Sequence, residues 1–254
     1  MNTLGTVQAL AALTMLALAL LDLRDPDFRV GVFAPGPRRA RNWAFFITSF
    51  VPMMFVQAVA SRLAELMPTL TRPGTLPAAL DFLLCLVVAE WATWTLHWVK
   101  HRHPFLWCFH FQHHREEHFN VWMVTHTHAL EVAVSGTLMV TLLLGLGFAP
   151  LSVHLYFALY SMALMYHHSA RSYSLGWLDR IIVSPAYHRR HHWRDSDGNF
   201  AGALTLWDVV FRTAHWPEPG TEQVPVGLPS AAVEPFGYRS EMLYFLAGGR
   251  RART

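Results

Sequence analysis

The sequence has a single lysine, Lys100, among its twenty basic residues, and two cysteines, Cys85 and Cys108. Two cysteines exclude a disulfide framework and a cysteine-ligated zinc or iron–sulfur centre. Charge is scarce: charged residues make up 15% of the chain, against roughly 25% in soluble domains. With 53% apolar residues, the chain cannot stay solvated as a disordered polymer and reads poorly as a water-soluble globule. The net charge of +3 is modest. No basic tract interleaved with aromatics occurs, so no nucleic-acid partner is expected. Histidine is absent from the first 96 residues, and all sixteen fall between His97 and His215.

What is present is apolar and segmented. A membrane helix needs about 20 apolar residues. Candidates are Leu4 to Leu21, Trp43 to Ala60, Leu80 to Val99, Glu131 to Leu146 and Leu151 to Tyr166. The first lacks the basic start and small-residue cleavage site of a signal peptide and reads as a retained helix. The last two are short, and the tight joint Gly147-Phe148-Ala149-Pro150 makes them a helical hairpin. Counting Lys and Arg assigns the orientation. With the N-terminus outside, eighteen of the twenty fall on the cytoplasmic side, leaving Arg62 and Arg72 outside. The histidine-rich part and the C-terminus are then cytoplasmic, except for His154 near the outer end of the fifth segment.

Three histidine clusters have metal-ligand spacing: His97 with His101; His110, His113 and His114; and His188, His191 and His192. On a helix, residues three and four apart share a face, so each cluster aims two or three imidazoles one way. His167-His168 closes the fifth segment, and only one of two adjacent helical residues can face the site. His128 is a further candidate, whereas His103, His118 and His215 read as polar tips at the membrane boundary. Eight imidazoles on three helical faces are costly to desolvate unless a cation coordinates them. They are too many for one ion, so two ions with four or five ligands each are expected. Imidazole suits iron, zinc, copper and nickel. An all-histidine pair without carboxylate bridges points to iron that activates dioxygen rather than to hydrolytic zinc.

The stretch from His97 to His114, with Pro104-Phe105-Leu106-Trp107 between its boxes, resembles the first two histidine boxes of the fatty acid hydroxylase / sterol desaturase superfamily. Leu175-Gly176-Trp177-Leu178-Asp179-Arg180, Pro185 to His192, Asn199-Phe200 and Leu206-Trp207-Asp208 resemble its later part. The resemblance runs from Leu80 to Thr213. It implies an integral membrane, non-haem di-iron oxygenase that hydroxylates or desaturates a lipid, using O2 and two electrons. It also implies that His97, His101, His110, His113, His114, His188, His191 and His192 are iron ligands, with His168 after the last span and, with Glu131, His128. The chain departs from the family at Ala129, Ala170, Phe200, Ala201 and Arg212, none of them a box histidine.

The expected fold is all-α: four to five membrane helices under a cytoplasmic helical cap carrying the two metals. Residues 1–79 form N-terminal membrane helices, 80–215 the catalytic domain and 216–254 a C-terminal tail. Glu90 shares a helix face with Trp94, His97 and His101; it is expected to serve a ligand imidazole from behind, to contact a substrate headgroup, or to make a structural bond to a neighbouring helix, while Glu131 and Asp208 are candidates behind the ligand imidazoles. No flavin or nicotinamide fingerprint is present, so an external donor protein is expected to bring electrons. Arg115, Arg171, Arg180, Arg189, Arg190 and Arg194 would make a basic face suited to an acidic carrier, although the positive-inside bias already explains most of them. The competing classes are a haem electron-transfer protein, with axial histidine pairs on facing spans, and a metal transporter or sensor.

Overall fold

A computed structural model describes residues 13–14, 16–18, 20–33, 37–66, 76–221, 224–228 and 237–247. The described part is helical. Its only β features are two isolated bridges, Ile182 with Leu204 and Trp193 with Val226. In chain order the helices are α1 (Pro26–Phe33), α2 (Pro37–Leu66), α3 (Ala78–Arg102), α4 (Pro104–Arg115), α5 (Ala129–Gly145), α6 (Pro150–His167), α7 (Pro185–His191), α8 (Leu206–Val210) and α9 (Tyr238–Met242). Short 3-10 turns span Val121–Thr125, Gly176–Arg180 and Tyr244–Ala247.

Among the described residues two helices are long and apolar enough to cross a membrane, Arg39–Leu66 and Ala78–Arg102, and Ala129–Gly145 is a shorter apolar helix. The remaining expected spans are not established: α5 has 17 residues, and α6, at 18, falls short in hydropathy rather than length. The first expected segment lies largely outside the described residues. On α2, Ile47, Val51 and Met54 are exposed at helical spacing, a ridge suited to lipid rather than water.

The bundle core is built from small residues on α3 and larger ones on the hairpin. Cys85, Ala89 and Ala92 let α3 approach Met139, Val140 and Leu143 of α5 and Val153 and Tyr156 of α6. Close approach also governs α2 against α5: a Cβ on Gly136 would lie 2.7 Å from a Val56 methyl. The hairpin forms as expected, and Gly147 turns it with a φ of 89°. Asp81 near the start of α3 fastens that turn, accepting from Ser152 Oγ at 2.5 Å and from the Ala149 amide at 3.2 Å. The ends of α3 and α6 away from this turn carry His97, His101 and His167, with His168 capping α6.

Beyond Gly237 the C-terminal tail packs against the helices. Buried Glu241 on α9 pairs with Arg41 of α2 at 2.6 Å and Arg115 of α4 at 3.4 Å. Its carbonyl accepts from Gln112 Nε2 at 2.9 Å, and Tyr244 packs on Phe111. The tail thus buttresses the helix that carries the second histidine box.

Candidate metal centre

Local sequence explains each box. Pro104 starts α4 at a position where its missing N–H costs nothing. His110, His113 and His114 follow on the buried side. Ser184 caps α7, its side chain accepting from the Tyr187 amide at 3.2 Å, and Pro185 follows at the first turn. The last two turns of α3 carry His97 and His101.

These elements bring nine histidines into two groups. One holds His97, His101, His110, His114 and His191; the other holds His113, His168, His188 and His192. In each group the ligand nitrogens lie within 4.8 Å of one another. Ligands on one ion sit at most about 4.2 Å apart, twice a metal–nitrogen bond of about 2.1 Å, so a few tenths of an ångström closes each group. The two HxxHH boxes contribute in mirror fashion. His110 and His114 serve the first group while His113 serves the second; His188 and His192 serve the second while His191 serves the first. At 100° per residue, positions i and i+4 diverge by about 40°, whereas i+3 and i+4 diverge by about 100°. The outer two of each box therefore share an ion and the middle one reaches the other. All three do not aim at one point, as the spacing alone led us to expect.

Hydrogen bonding fixes the tautomers. The Nδ1 atoms of His97, His113, His168 and His191 face the carbonyls of Phe200 (2.9 Å), Met123 (3.3 Å), Leu164 (2.7 Å) and Gly198 (2.7 Å). His110 Nδ1 faces Glu131 Oε1 at 2.9 Å. Carbonyls and carboxylates only accept, so each Nδ1 carries the proton and each Nε2 is a bare lone pair. His113 and His168 thus point two lone pairs at each other, Nε2 to Nε2, at 3.1 Å. Buried His97 Nε2 and His110 Nε2 have no hydrogen-bond partner. Such orphans cost about 1–3 kcal/mol each, and a cation between the lone pairs removes the penalty. Burial, then neighbouring histidines, lower the pKa values of His114, His188 and His192 well below the usual range. Burial takes His191 down to about 3, against the opposing bond to Gly198. These four imidazoles are neutral at neutral pH, as metal ligands must be, and the donor set fits the two ions expected, iron included.

The other candidates distribute differently. Glu131 lies where expected, accepting from His110 and from Lys100 Nζ at 2.7 Å. His128 is in neither group: its Nδ1 accepts from the Leu130 amide, capping α5, and its Nε2 lies 2.9 Å from the Met242 carbonyl. His167 is also in neither, its buried ring stacked on His188 at 4.0 Å. Asp208 touches no histidine. It accepts from the Phe200 and Ala201 amides (2.9 Å each), Trp94 Nε1 (2.9 Å) and the Tyr187 hydroxyl (3.0 Å). Glu90 likewise serves no imidazole, accepting from the Ala203 and Leu204 amides at 2.8 Å. The six arginines form no single free face. Arg115 and Arg189 are buried, and Arg190 and Arg194 pair with Glu218 and Glu117.

Three supports have no role assigned from sequence, although Asn199 stands in a stretch that carries the family resemblance. Buried Asn199, at φ 59°, donates to the carbonyls of Tyr187 and His215, locking the turn after the third box. Asn120 caps the 3-10 turn whose Met123 carbonyl orients His113. Asp22 accepts from Ser169 Oγ and the Ala170 amide, both at 2.9 Å, holding the chain just past His168. Each is a polar residue buried in an apolar chain, the signal by which it could have been found. A cleft of about 520 Å³ leads from His101, His114, His191 and His192 to the surface at Arg194 and Asp195.

A sequence profile of the family described as fatty acid hydroxylase matches residues 82–213, the stretch that holds all nine clustered histidines. The chain belongs to the fatty acid hydroxylase family. Alkylglycerol monooxygenase of Homo sapiens is 31% identical over 135 residues, 52% of this chain and 29% of that protein. Ornithine lipid hydroxylase OlsE of Rhizobium tropici is 29% identical over 168 residues, 65% of this chain and 50% of that one. Alkylglycerol monooxygenase of Danio rerio is 30% identical over 135 residues, with 52% and 29% covered. The matches thus span between under a third and half of these relatives. No solved structure matches the chain significantly.

Proposed function

We propose that this protein is a membrane-bound di-iron monooxygenase that hydroxylates a lipid, using O2 and electrons from a separate donor. The facing Nε2 lone pairs in two buried, all-imidazole groups carry the reading. Groups of five and four converging nitrogens favour it over haem, which takes single histidines on opposite sides of a ring. The relatives named above are a monooxygenase and a hydroxylase of lipids, which favours hydroxylation over desaturation. Iron held by the nine histidines would supply the activation of O2 for insertion into a C–H bond.

The chain's own residues orient and dry the site. Backbone carbonyls at Phe200, Met123, Leu164 and Gly198 hold four rings by their Nδ1 protons, and Glu131 holds a fifth. That support fixes where each Nε2 points and raises its basicity. Burial of the groups keeps bulk water off the ligands, while the cleft at Arg194 is the polar approach we assign to the electron donor. The positive-inside count supports a multi-pass chain with its N-terminus outside and its histidines and C-terminus cytoplasmic. Residues 80–215 act as the catalytic domain, 1–79 as its membrane helices, and 216–254 as a tail that braces α4.

The test is isotopic. Iron-loaded protein in lipid vesicles, given a reductant, a donor protein and 18O2, should yield a lipid heavier by one 18O atom. Label arriving from H2 18O instead of O2 would overturn the oxygenase reading.

A further inference from the structure

The positive-inside count places everything after Ser169 in the cytoplasm, clear of the bilayer. We infer that part of this cap is instead immersed in the membrane. The turn Gly176–Arg180, the following Ile181 and helix α8 form a face that contacts lipid beside α3. The inference rests on the reading of α3 as a membrane span.

Depth is the first ground. Trp207 on α8 donates from Nε1 to the Val87 carbonyl of α3 at 3.1 Å, and Phe211 stacks on Trp94 with ring centroids 4.2 Å apart. The 25 residues of α3 make a rod of roughly 37 Å at 1.5 Å per residue, and the hydrocarbon core is about 30 Å thick. With the cytoplasmic edge of that core at His97, Val87 lies ten residues, about 15 Å, inside it, so α8 lies level with the hydrocarbon.

The second ground is what this segment turns outward and inward. Trp177, Ile181, Leu206, Val209, Val210 and Phe211 are all exposed, from 42% to 71%. They belong to one surface, because the Val183 amide bonds to the Ala203 carbonyl (2.9 Å) and the Thr205 amide to the Ile181 carbonyl (3.1 Å). That surface continues the exposed stripe Leu80, Leu83, Leu84, Val87 and Trp91 of α3, meeting it where Trp207 bonds to Val87. Polar groups point the other way. Glu90 takes the amides of Ala203 and Leu204, and Asp208 takes those of Phe200 and Ala201. Irregular backbone at membrane depth requires such internal satisfaction. This also accounts for a carboxylate in the middle of α3. Exposed Arg180 and Arg212 flank the face, as basic residues do where apolar surface meets headgroups. The occupant of the face is the bilayer itself, which would let a lipid move laterally from it toward the histidines.

Spin labelling tests this directly. Nitroxides on Trp177→Cys and Val210→Cys, in protein reconstituted in phosphatidylcholine vesicles, report collisions with dissolved O2 and with chromium oxalate, which stays in water. Cys85 and Cys108 are buried, so labelling goes to the introduced thiol. The two positions lie on separate elements, so misfolding at one leaves the other informative; helical circular dichroism checks each. Both labels should match a Leu83→Cys label, shielded from chromium oxalate and reached by O2, and differ from an exposed Glu218→Cys label. If Leu83 is shielded but Trp177 and Val210 collide with chromium oxalate as Glu218 does, the face is in water and the inference is overturned. Spin–spin broadening at the face that vanishes on dilution with unlabelled chain would mean a second copy covers it, which also overturns it. Chromium oxalate reaching Leu83 as well would instead overturn the spanning reading of α3, and the inference with it.

Discussion

Replacing Glu131 by glutamine should weaken one metal ion and spare the other. Glu131 Oε1 accepts from His110 Nδ1 at 2.9 Å and from Lys100 Nζ at 2.7 Å, and both carboxylate partners are largely buried. His110 belongs to the five-imidazole group only. Changing such a support costs about 10–100-fold in metal affinity, or about 1.4–2.8 kcal/mol. Glutamine keeps an oxygen for His110 Nδ1–H and loses only the charge, so its effect should sit near tenfold. Glu131→Ala removes the acceptor as well and should approach a hundredfold. The assay is metal retained per chain against rising chelator, by mass spectrometry of the protein fraction. Wild type should lose its two ions at whatever concentrations their affinities set. In Glu131→Gln one of those steps should move to about tenfold less chelator, and the other should stay. Equal movement of both steps, or of neither, would refute the assignment of His110 to one ion and of Glu131 to His110.

Further outcomes follow from the same geometry. His113→Ala leaves three imidazoles in the four-member group, so the metal ratio should fall from two towards one per chain; an unchanged ratio of two would count against that group. His128→Ala should keep both ions but lose a helix cap, about 0.5–2 kcal/mol, read as a lower denaturation midpoint; loss of an ion would restore His128 as a ligand. Gly202→Ala would bring a Cβ to 2.9 Å from Thr93 Cγ2 and 3.1 Å from Glu90 Oε1. It should cost about 1–3 kcal/mol by overpacking, and a melting temperature equal to wild type would refute the close approach. A reporter fused after Thr254 should behave as cytoplasmic, and its export would reverse the proposed topology.

The box histidines were legible because a metal site needs few residue types at fixed helical spacings, and an apolar chain has little other use for buried imidazole. Their division was not. HxxHH spacing says that three rings leave one side of a helix, but the sharing depends on the angle at which α4 meets α7. That angle is set by partners far apart in sequence, such as Glu241 with Arg115 and Asn199 with Tyr187. His128 misled for a related reason. Its position before a helix beside an acid suits a ligand as well as a cap, and only the Leu130 amide and the Met242 carbonyl decide between them. The hairpin was legible from Gly147 and Pro150, whereas the bracing by α9 rests on long-range ion pairs that no local pattern announces.

Glu90 carries this argument furthest. Its register correctly puts it on the face of α3 that bears Trp94 and His97, and an acid at that depth has to be satisfied. The sequence leaves it between an imidazole, a substrate headgroup and a structural bond, because nothing local says which polar group comes within reach. The structure directs it to two backbone amides, in a loop more than a hundred residues away. Asp208 does the same for the amides of Phe200 and Ala201, and the Phe200 carbonyl in turn takes the His97 proton. Carbonyls can orient ligand rings without adding charge to the site, but carbonyls sit on loops, and buried loops have amides that need acceptors. In this centre the acids hold the loop and the loop holds the histidine. Glu131, bound to His110 directly, departs from that pattern, and Lys100 beside it balances its charge.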